Sequence, residues 1–190
     1  EYALGTDPAD ADSDDDGGSD GLEVTVGTDP LDPARYPVDL SGSVAYSGIQ
    51  TGQVRVVALT NAAVWSTNYH AAIASPGAWS ISNVPNLVSY TVIGWRDASG
   101  NGETNYWEAQ GAYSNNPVYP TNSVSGLALT LSDPNADADT DGLPDWWEMH
   151  WFNELDETGA SDPDSDGLVN SNEYVQGAVP TDADTDDDGA

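Results

Sequence analysis

Three windows of this 190-residue chain place oxygen-bearing side chains at the same spacing. Asp12, Asp14, Asp16, Asp20 and Glu23 stand at positions 1, 3, 5, 9 and 12 of the first, with Gly17 at position 6. Asp137, Asp139, Asp141, Asp145 and Glu148 repeat the pattern around Gly142, and Asp162, Asp164, Asp166, Asn170 and Glu173 repeat it around Gly167. Short carboxylates at alternate positions can converge on one hard cation while the glycine takes the sharp turn. A backbone carbonyl at position 7 (Gly18, Leu143 or Leu168) adds an oxygen, and the final glutamate closes the shell with two more. This is the ligand chemistry of calcium, the expected cofactor. Acid runs are more often plain solvated surface, but that reading does not require a glycine at 6 and a glutamate at 12 three times over.

Two further windows carry part of the pattern. Asp97, Ser99, Asn101, the Glu103 carbonyl, Asn105 and Glu108 hold positions 1, 3, 5, 7, 9 and 12, with Gly102 at 6. Fewer charged ligands imply a weaker site, and the alternative is a polar hairpin turning at Asn101-Gly102. Asp184, Asp186, Asp188 and the Ala190 carbonyl begin a fifth loop that lacks its second half. Glu1-Tyr2 at the other end matches Glu173-Tyr174, so Glu1 has the context of a position-12 ligand. One reading is an arbitrary boundary. The other is an end-to-end array or filament in which neighbouring copies or tandem units meet through calcium, with a short linker or a junction between chains supplying the missing positions.

Charge supports the same chemistry. The formal net charge is −30, from 33 acids against three arginines and no lysine. Residues 1–35 hold eleven acids and residues 133–190 hold eighteen, leaving only Asp39, Asp97, Glu103 and Glu108 between. Such a field repels nucleic acid and anionic membrane, so neither is an expected partner. No apolar run is long enough to span a bilayer. Cysteine is absent, which removes disulfides, and metal ions can serve as staples instead. Because cytosolic free calcium is too low to fill modest sites, the expected location is extracellular or at the cell surface. The start at Glu1, with no visible signal peptide, reads as a mature or trimmed segment.

The elements that would position these loops are of two kinds. Residues 38–46, 52–60, 78–84, 88–96 and 123–132 alternate apolar with small or polar side chains, most clearly Leu127, Leu129 and Leu131 against Ala128, Thr130 and Ser132. Five to seven short strands separated by turn clusters predict an antiparallel β-sandwich over residues 36–133, with Trp65, Trp79 and Trp95 in or near its core. The flanks, 1–35 and 134–190, read as calcium loop followed by short helix. Helices are expected from Leu22 to Val26 ending at Gly27, from Pro144 to Phe152 with Trp147, Trp151 and Leu155 on one face, and from Glu173 to Gln176 ending at Gly177. Nothing helical precedes the first two loops, and Ser19 and Pro144 replace the β-branched residue that would pair two EF-hands. The fold class is thus mainly β, a central sandwich flanked by loop–helix half-units.

The flanks resemble bacterial thrombospondin type 3 repeats, which are similar to dockerin half-hands. The resemblance rests on the run from Asp12 to Glu23 followed by Val24-Thr-Val-Gly-Thr-Asp-Pro, on Asp139-Thr-Asp-Gly-Leu-Pro-Asp-Trp-Trp-Glu and on Asp164-Ser-Asp-Gly-Leu-Val-Asn-Ser-Asn-Glu-Tyr. It covers about half of the chain and implies structural calcium in a secreted or surface stalk. The middle section more loosely resembles carboxypeptidase regulatory-like sandwiches, through Gly42-Ser-Val-Ala-Tyr-Ser-Gly, Trp79-Ser-Ile-Ser-Asn-Val-Pro and Tyr90-Thr-Val-Ile-Gly-Trp-Arg-Asp. That resemblance implies a non-catalytic spacer or scaffold.

Catalysis finds little to work with. His70 and His150 are the only histidines, no nucleophile-elbow or His-Glu-x-x-His motif accompanies them, and the acids already have ligand positions. The rival to a structural module is a glycan-binding or adhesion module using Tyr106, Trp107, Tyr113 and Tyr119, with Trp107 exposure as the discriminating feature. A third reading is a calcium-stiffened spacer in a larger secreted enzyme.

Overall fold

The computed structural model describes residues 4–185, which divide into two compact units. The first comprises residues up to Ser47, Thr51–Gly102 and Gln110–Ser132, and the second comprises Gly48–Gln50, Glu103–Ala109 and the chain from Asp133 onward. Among the described residues the fold is mainly β, with two sheets and three short helices.

All seven strands belong to the first unit: β1 (Pro37–Ala45), β2 (Gln53–Leu59), β3 (His70–Ile73), β4 (Ala78–Pro85), β5 (Thr91–Asp97), β6 (Gln110–Ala112) and β7 (Val124–Thr130). One sheet runs β4-β1-β7 and the other β3-β2-β5-β6. Alternation in the sequence becomes alternation in burial. Leu127 and Leu129 of β7, with Leu131 just beyond it, are buried, as are Val38, Leu40 and Val44 of β1 and Val54 and Val56 of β2. The two sheets meet through these side chains, because a Cβ on Gly94 of β5 would lie 3.3 Å from Leu129 and 3.6 Å from Leu131. Gly42 has a stricter role: any Cβ there would overlap the Leu127 carbonyl where β1 shifts register against β7.

Two expectations need correction. The sheets are not wholly antiparallel, since β1 and β7 pair in parallel. Strands joined by a tight hairpin must be antiparallel, but β7 reaches β1 only after the chain has passed through the other sheet, so no turn dictates its direction. Trp79 and Trp95 are buried as expected, whereas Trp65 is 40% exposed and lies edge-on to Trp95 with ring centroids 5.0 Å apart. It lies between β2 and β3, outside any strand.

The helices are α1 (Asp20–Val26), α2 (Asp145–Trp151) and α3 (Asn170–Gln176). Gly27 and Gly177 close α1 and α3 in the left-handed conformation, at φ 87° and 73°. α2 ends one residue earlier than expected, and Phe152 rather than a glycine follows it, so Leu155 is not on the Trp147 face. α1 packs against β1 and β4, which puts the first acidic segment in the same unit as the strands. In the second unit the buried Gln50 joins three pieces of chain. Its amide nitrogen donates to the Trp107 carbonyl (3.2 Å) and to Asp133 (2.8 Å), and its oxygen accepts from the Ala109 N–H (3.1 Å).

Candidate metal sites

Each acidic loop is built by the same few backbone hydrogen bonds. The position-6 N–H donates to the position-1 carboxylate: Gly17 to Asp12 (3.0 Å), Gly142 to Asp137 (3.1 Å), Gly167 to Asp162 (3.2 Å). The position-7 N–H donates to position 5: Gly18 to Asp16 (2.7 Å), Leu143 to Asp141 (2.8 Å), Leu168 to Asp166 (2.6 Å). The position-5 N–H donates to position 3 in all three. Two left-handed residues, at positions 4 and 6, make the turn on either side of the position-5 aspartate: Asp15 and Gly17, Thr140 and Gly142, Ser165 and Gly167, with the glycines near φ 95–99°. In the first loop these bonds occupy one oxygen of each triad carboxylate and leave the other buried without a partner, whereas in the second loop Asp137 and Asp141 each accept on both oxygens. In each loop, ligand oxygens of the residues at 1, 3 and 5 fall within 4.8 Å of one another, so each triad could hold a metal ion.

The glutamate at position 12 is where burial matters. Glu23, Glu148 and Glu173 are completely buried. Both carboxylate oxygens of Glu148 and Glu173, and Oε2 of Glu23, have no hydrogen-bond partner. Asp12, Asp14 and Asp16 in the first loop, and Asp162 and Asp164 in the third, each contribute a further buried oxygen without one. A buried unpaired carboxylate is costly unless a cation or proton compensates it. Burial, reinforced by Asp16 and Asp14, pushes the Glu23 carboxyl up to about 7 when no cation is counted. Burial with Asp139 and Asp141 does the same to Glu148 (about 7), and burial with Asp164 and Asp166 raises Glu173 to about 6.

Position 9 plays a different part in each loop. Both Asp20 oxygens accept from Ser13, its N–H and its Oγ each at 2.8 Å, and those bonds hold the carboxyl below its usual range. Asp145 accepts from the Ala138 N–H at 2.7 Å. Both aspartates therefore clamp position 2 of their own loop. In the third loop position 2 is Pro163, which has no N–H to give. Asn170 accordingly leaves its buried oxygen unpartnered and turns its amide to the Thr158 carbonyl, 3.1 Å away.

The window at Asp97 is built differently. Gly102 N–H donates to both Asp97 oxygens, 3.2 and 3.1 Å, reproducing the turn of the other loops. Asp97, however, is ion-paired with Arg55, whose Nε lies 2.6 Å from Oδ2. Its charge already has a tethered cation, which sequence reading missed because Arg55 lies on β2, far from the loop in the chain. Ser99 and Asn101 fall in the first unit, whereas Glu103, Asn105 and Glu108 fall in the second, where Asn105 N–H donates to the buried Glu108 (3.1 Å). Of the split fifth loop, Asp186, Asp188, Ala190 and Glu1 lie outside the described residues, and only Asp184 lies within them. The four tyrosine and tryptophan candidates divide likewise: Tyr106 and Trp107 belong to the second unit, Tyr113 and Tyr119 to the first. Tyr106 and Tyr119 are 57% and 58% exposed, whereas Trp107 is only half-buried.

Searches against protein-family models, curated proteins and solved structures find no match for this chain.

Proposed function

We propose that this chain is a non-catalytic structural module in which calcium fixes acidic loop–helix units built like thrombospondin type 3 repeats, beside a β-sandwich formed by the two sheets. The observation that carries the reading is the fully buried glutamate standing behind each aspartate triad, with both oxygens unpartnered in Glu148 and Glu173 and one in Glu23. Three carboxylates and a bidentate glutamate on a glycine turn suit a large oxygen-seeking cation of flexible coordination, and calcium fits that description better than magnesium. Each bound ion would remove two of the 30 net negative charges and tie a loop to the helix that follows it. Sites of this kind fill where free calcium is high, so the reading carries with it an extracellular or cell-surface location.

The test is calorimetric titration of chelator-stripped protein with calcium chloride. At least three equivalents are expected, and fewer would overturn the reading. Glu148→Gln should weaken the second loop more than Asp145→Asn, because Asp145 clamps Ala138 whereas the glutamate would supply direct ligands. A clamp of that kind is worth about tenfold in affinity. Equal losses would mean that position 12 does not bind the ion.

A further inference from the structure

The short segment between the second and third loops has no ligand position, yet it touches both. The Gly159 N–H donates to Oδ2 of Asp141, position 5 of the second loop, at 2.5 Å. The Gly159 carbonyl accepts from the N–H of Ser171, position 10 of the third loop, at 3.0 Å. One residue thus spends both of its backbone groups on two different loops. The fit is close on each side, since a Cβ at Gly159 would lie 3.3 Å from the Ser171 Cβ and 3.4 Å from the Asp141 carbonyl. Thr158, its neighbour, holds Asn170 at position 9 of the third loop through its carbonyl. A second bridge is aromatic. Tyr174, next to Glu173, packs edge-on against Trp147 (5.9 Å) and Trp146 (6.2 Å), the two residues before Glu148.

We infer that the second and third loops bind their cations cooperatively, coupled through the Thr158-Gly159 backbone and through Tyr174. The inference rests on the calcium reading above. An ion that draws Asp141 inward carries Gly159 with it and sets the start of α3, so the third loop is partly ordered before its own ion arrives. An ion closing Glu173 onto the third triad in turn fixes Tyr174 against the helix that carries Glu148. This coupling differs from that of paired EF-hands, which meet through β-branched residues at position 8. Here position 8 is Pro144 in one loop, and the contact runs through a connector instead.

The experiment follows each site separately in the full chain by the amide resonances of Gly142 and Gly167 during titration with calcium chloride, with Gly17 as the reference. Of Glu173→Gln and Glu148→Gln, the one that disables the tighter site should raise the calcium concentration needed to shift the other loop's glycine, Gly142 or Gly167, by about tenfold. Ser171→Pro removes the N–H that Gly159 accepts while keeping every ligand, and proline is tolerated in a first helical turn. That variant and Tyr174→Ala should each reduce the coupling between the two loops without abolishing binding at either. Midpoints at Gly142 and Gly167 that both stay unchanged when the opposite glutamate is substituted overturn the coupling while leaving calcium binding intact. If neither glycine responds to calcium in the unmodified chain, the calcium reading falls and this inference falls with it.

Discussion

The two units bury different kinds of atom. In the first, the interior is mostly Val, Leu, Ile, Trp and Tyr drawn from both sheets, with Thr6, Asp20, Glu23, Asn86 and Asp97 as its buried polar residues. In the second, the fully or nearly buried apolar residues are few, chiefly Leu143, Trp147 and Ala109, while Gln50, Glu108, Asp145, Glu148, Asn170 and Glu173 are buried beside them. Apolar burial stabilises a fold at about 25 cal/mol per Å² without help from any ligand. Buried carboxylates do the opposite until something positive meets them. The proposed calcium would therefore matter most to the second unit, whose buried carboxylates lack the apolar company that the first unit supplies for itself. The first unit even contains a small version of the contrast, because Asp97 meets Arg55 from within the chain whereas Glu23 meets no cationic side chain.

Chelation should separate the two units most sharply. In excess chelator, amide hydrogen exchange at Phe152 and Gly177, whose N–H groups donate to the Glu148 and Glu173 carbonyls, should accelerate by orders of magnitude. Exchange at Val54–Val57, paired on both sides by β3 and β5, should change little. Equal loss of protection in both regions would mean that the strand unit is also held by metal.

Arg55→Ala tests the internal cation. Removing the guanidinium leaves Asp97 buried and uncompensated, which should cost about 3 kcal/mol in urea denaturation performed in chelator. If calcium can bind the Asp97 loop once Arg55 is gone, the loss will shrink when the same measurement is made in calcium. A cost that is the same in both conditions would show that Arg55, not an ion, is the counter-charge this loop is made for.

These two experiments also mark what the sequence could and could not reveal. The aspartate triads were legible because all their parts lie within twelve residues, so that spacing alone determines which side chains can converge. Strands β1, β2, β4, β5 and β7 were legible from alternation sustained over seven or more residues. β3 and β6 have four and three residues, too few for a period to register, and exist because β2 and β5 offer them edges. The Arg55–Asp97 pair, the parallel β1–β7 register and the Gly159 bridge all join residues distant in the chain or lacking side-chain chemistry. Gly159 in particular acts only through its backbone, which no residue type announces.

Acidity should act on the buried glutamates and leave the apolar interior alone. Without a cation, the raised carboxyls of Glu23, Glu148 and Glu173 bind protons more tightly folded than unfolded. Their contribution to stability is then fully present below about pH 4.5 and is lost as pH rises through about 6 to 7. Calcium competes for the same oxygens, so its affinity should fall as pH drops through that window. The rise in Tm on adding calcium should accordingly be larger at about pH 7.5 than at about pH 5. An equal rise at both would show that protons and the ion do not share these glutamates.

The smallest expected effect lies at the edge of the apolar unit. Trp65 stands outside any strand, 40% exposed, with one edge against the buried Trp95. Aromatic pairs of this kind contribute about 1 kcal/mol beyond the area they cover, and the exposed face contributes nothing. Trp65→Ala should therefore lower the stability of the strand unit by about 1–2 kcal/mol, far less than truncating a fully buried tryptophan. Because the contact is apolar, the loss should be the same in calcium and in chelator, as measured by urea denaturation followed through backbone circular dichroism. A loss that appears only in chelator would tie Trp65 to the metal-dependent part of the molecule and break the division between an interior that holds itself and one that waits for a cation.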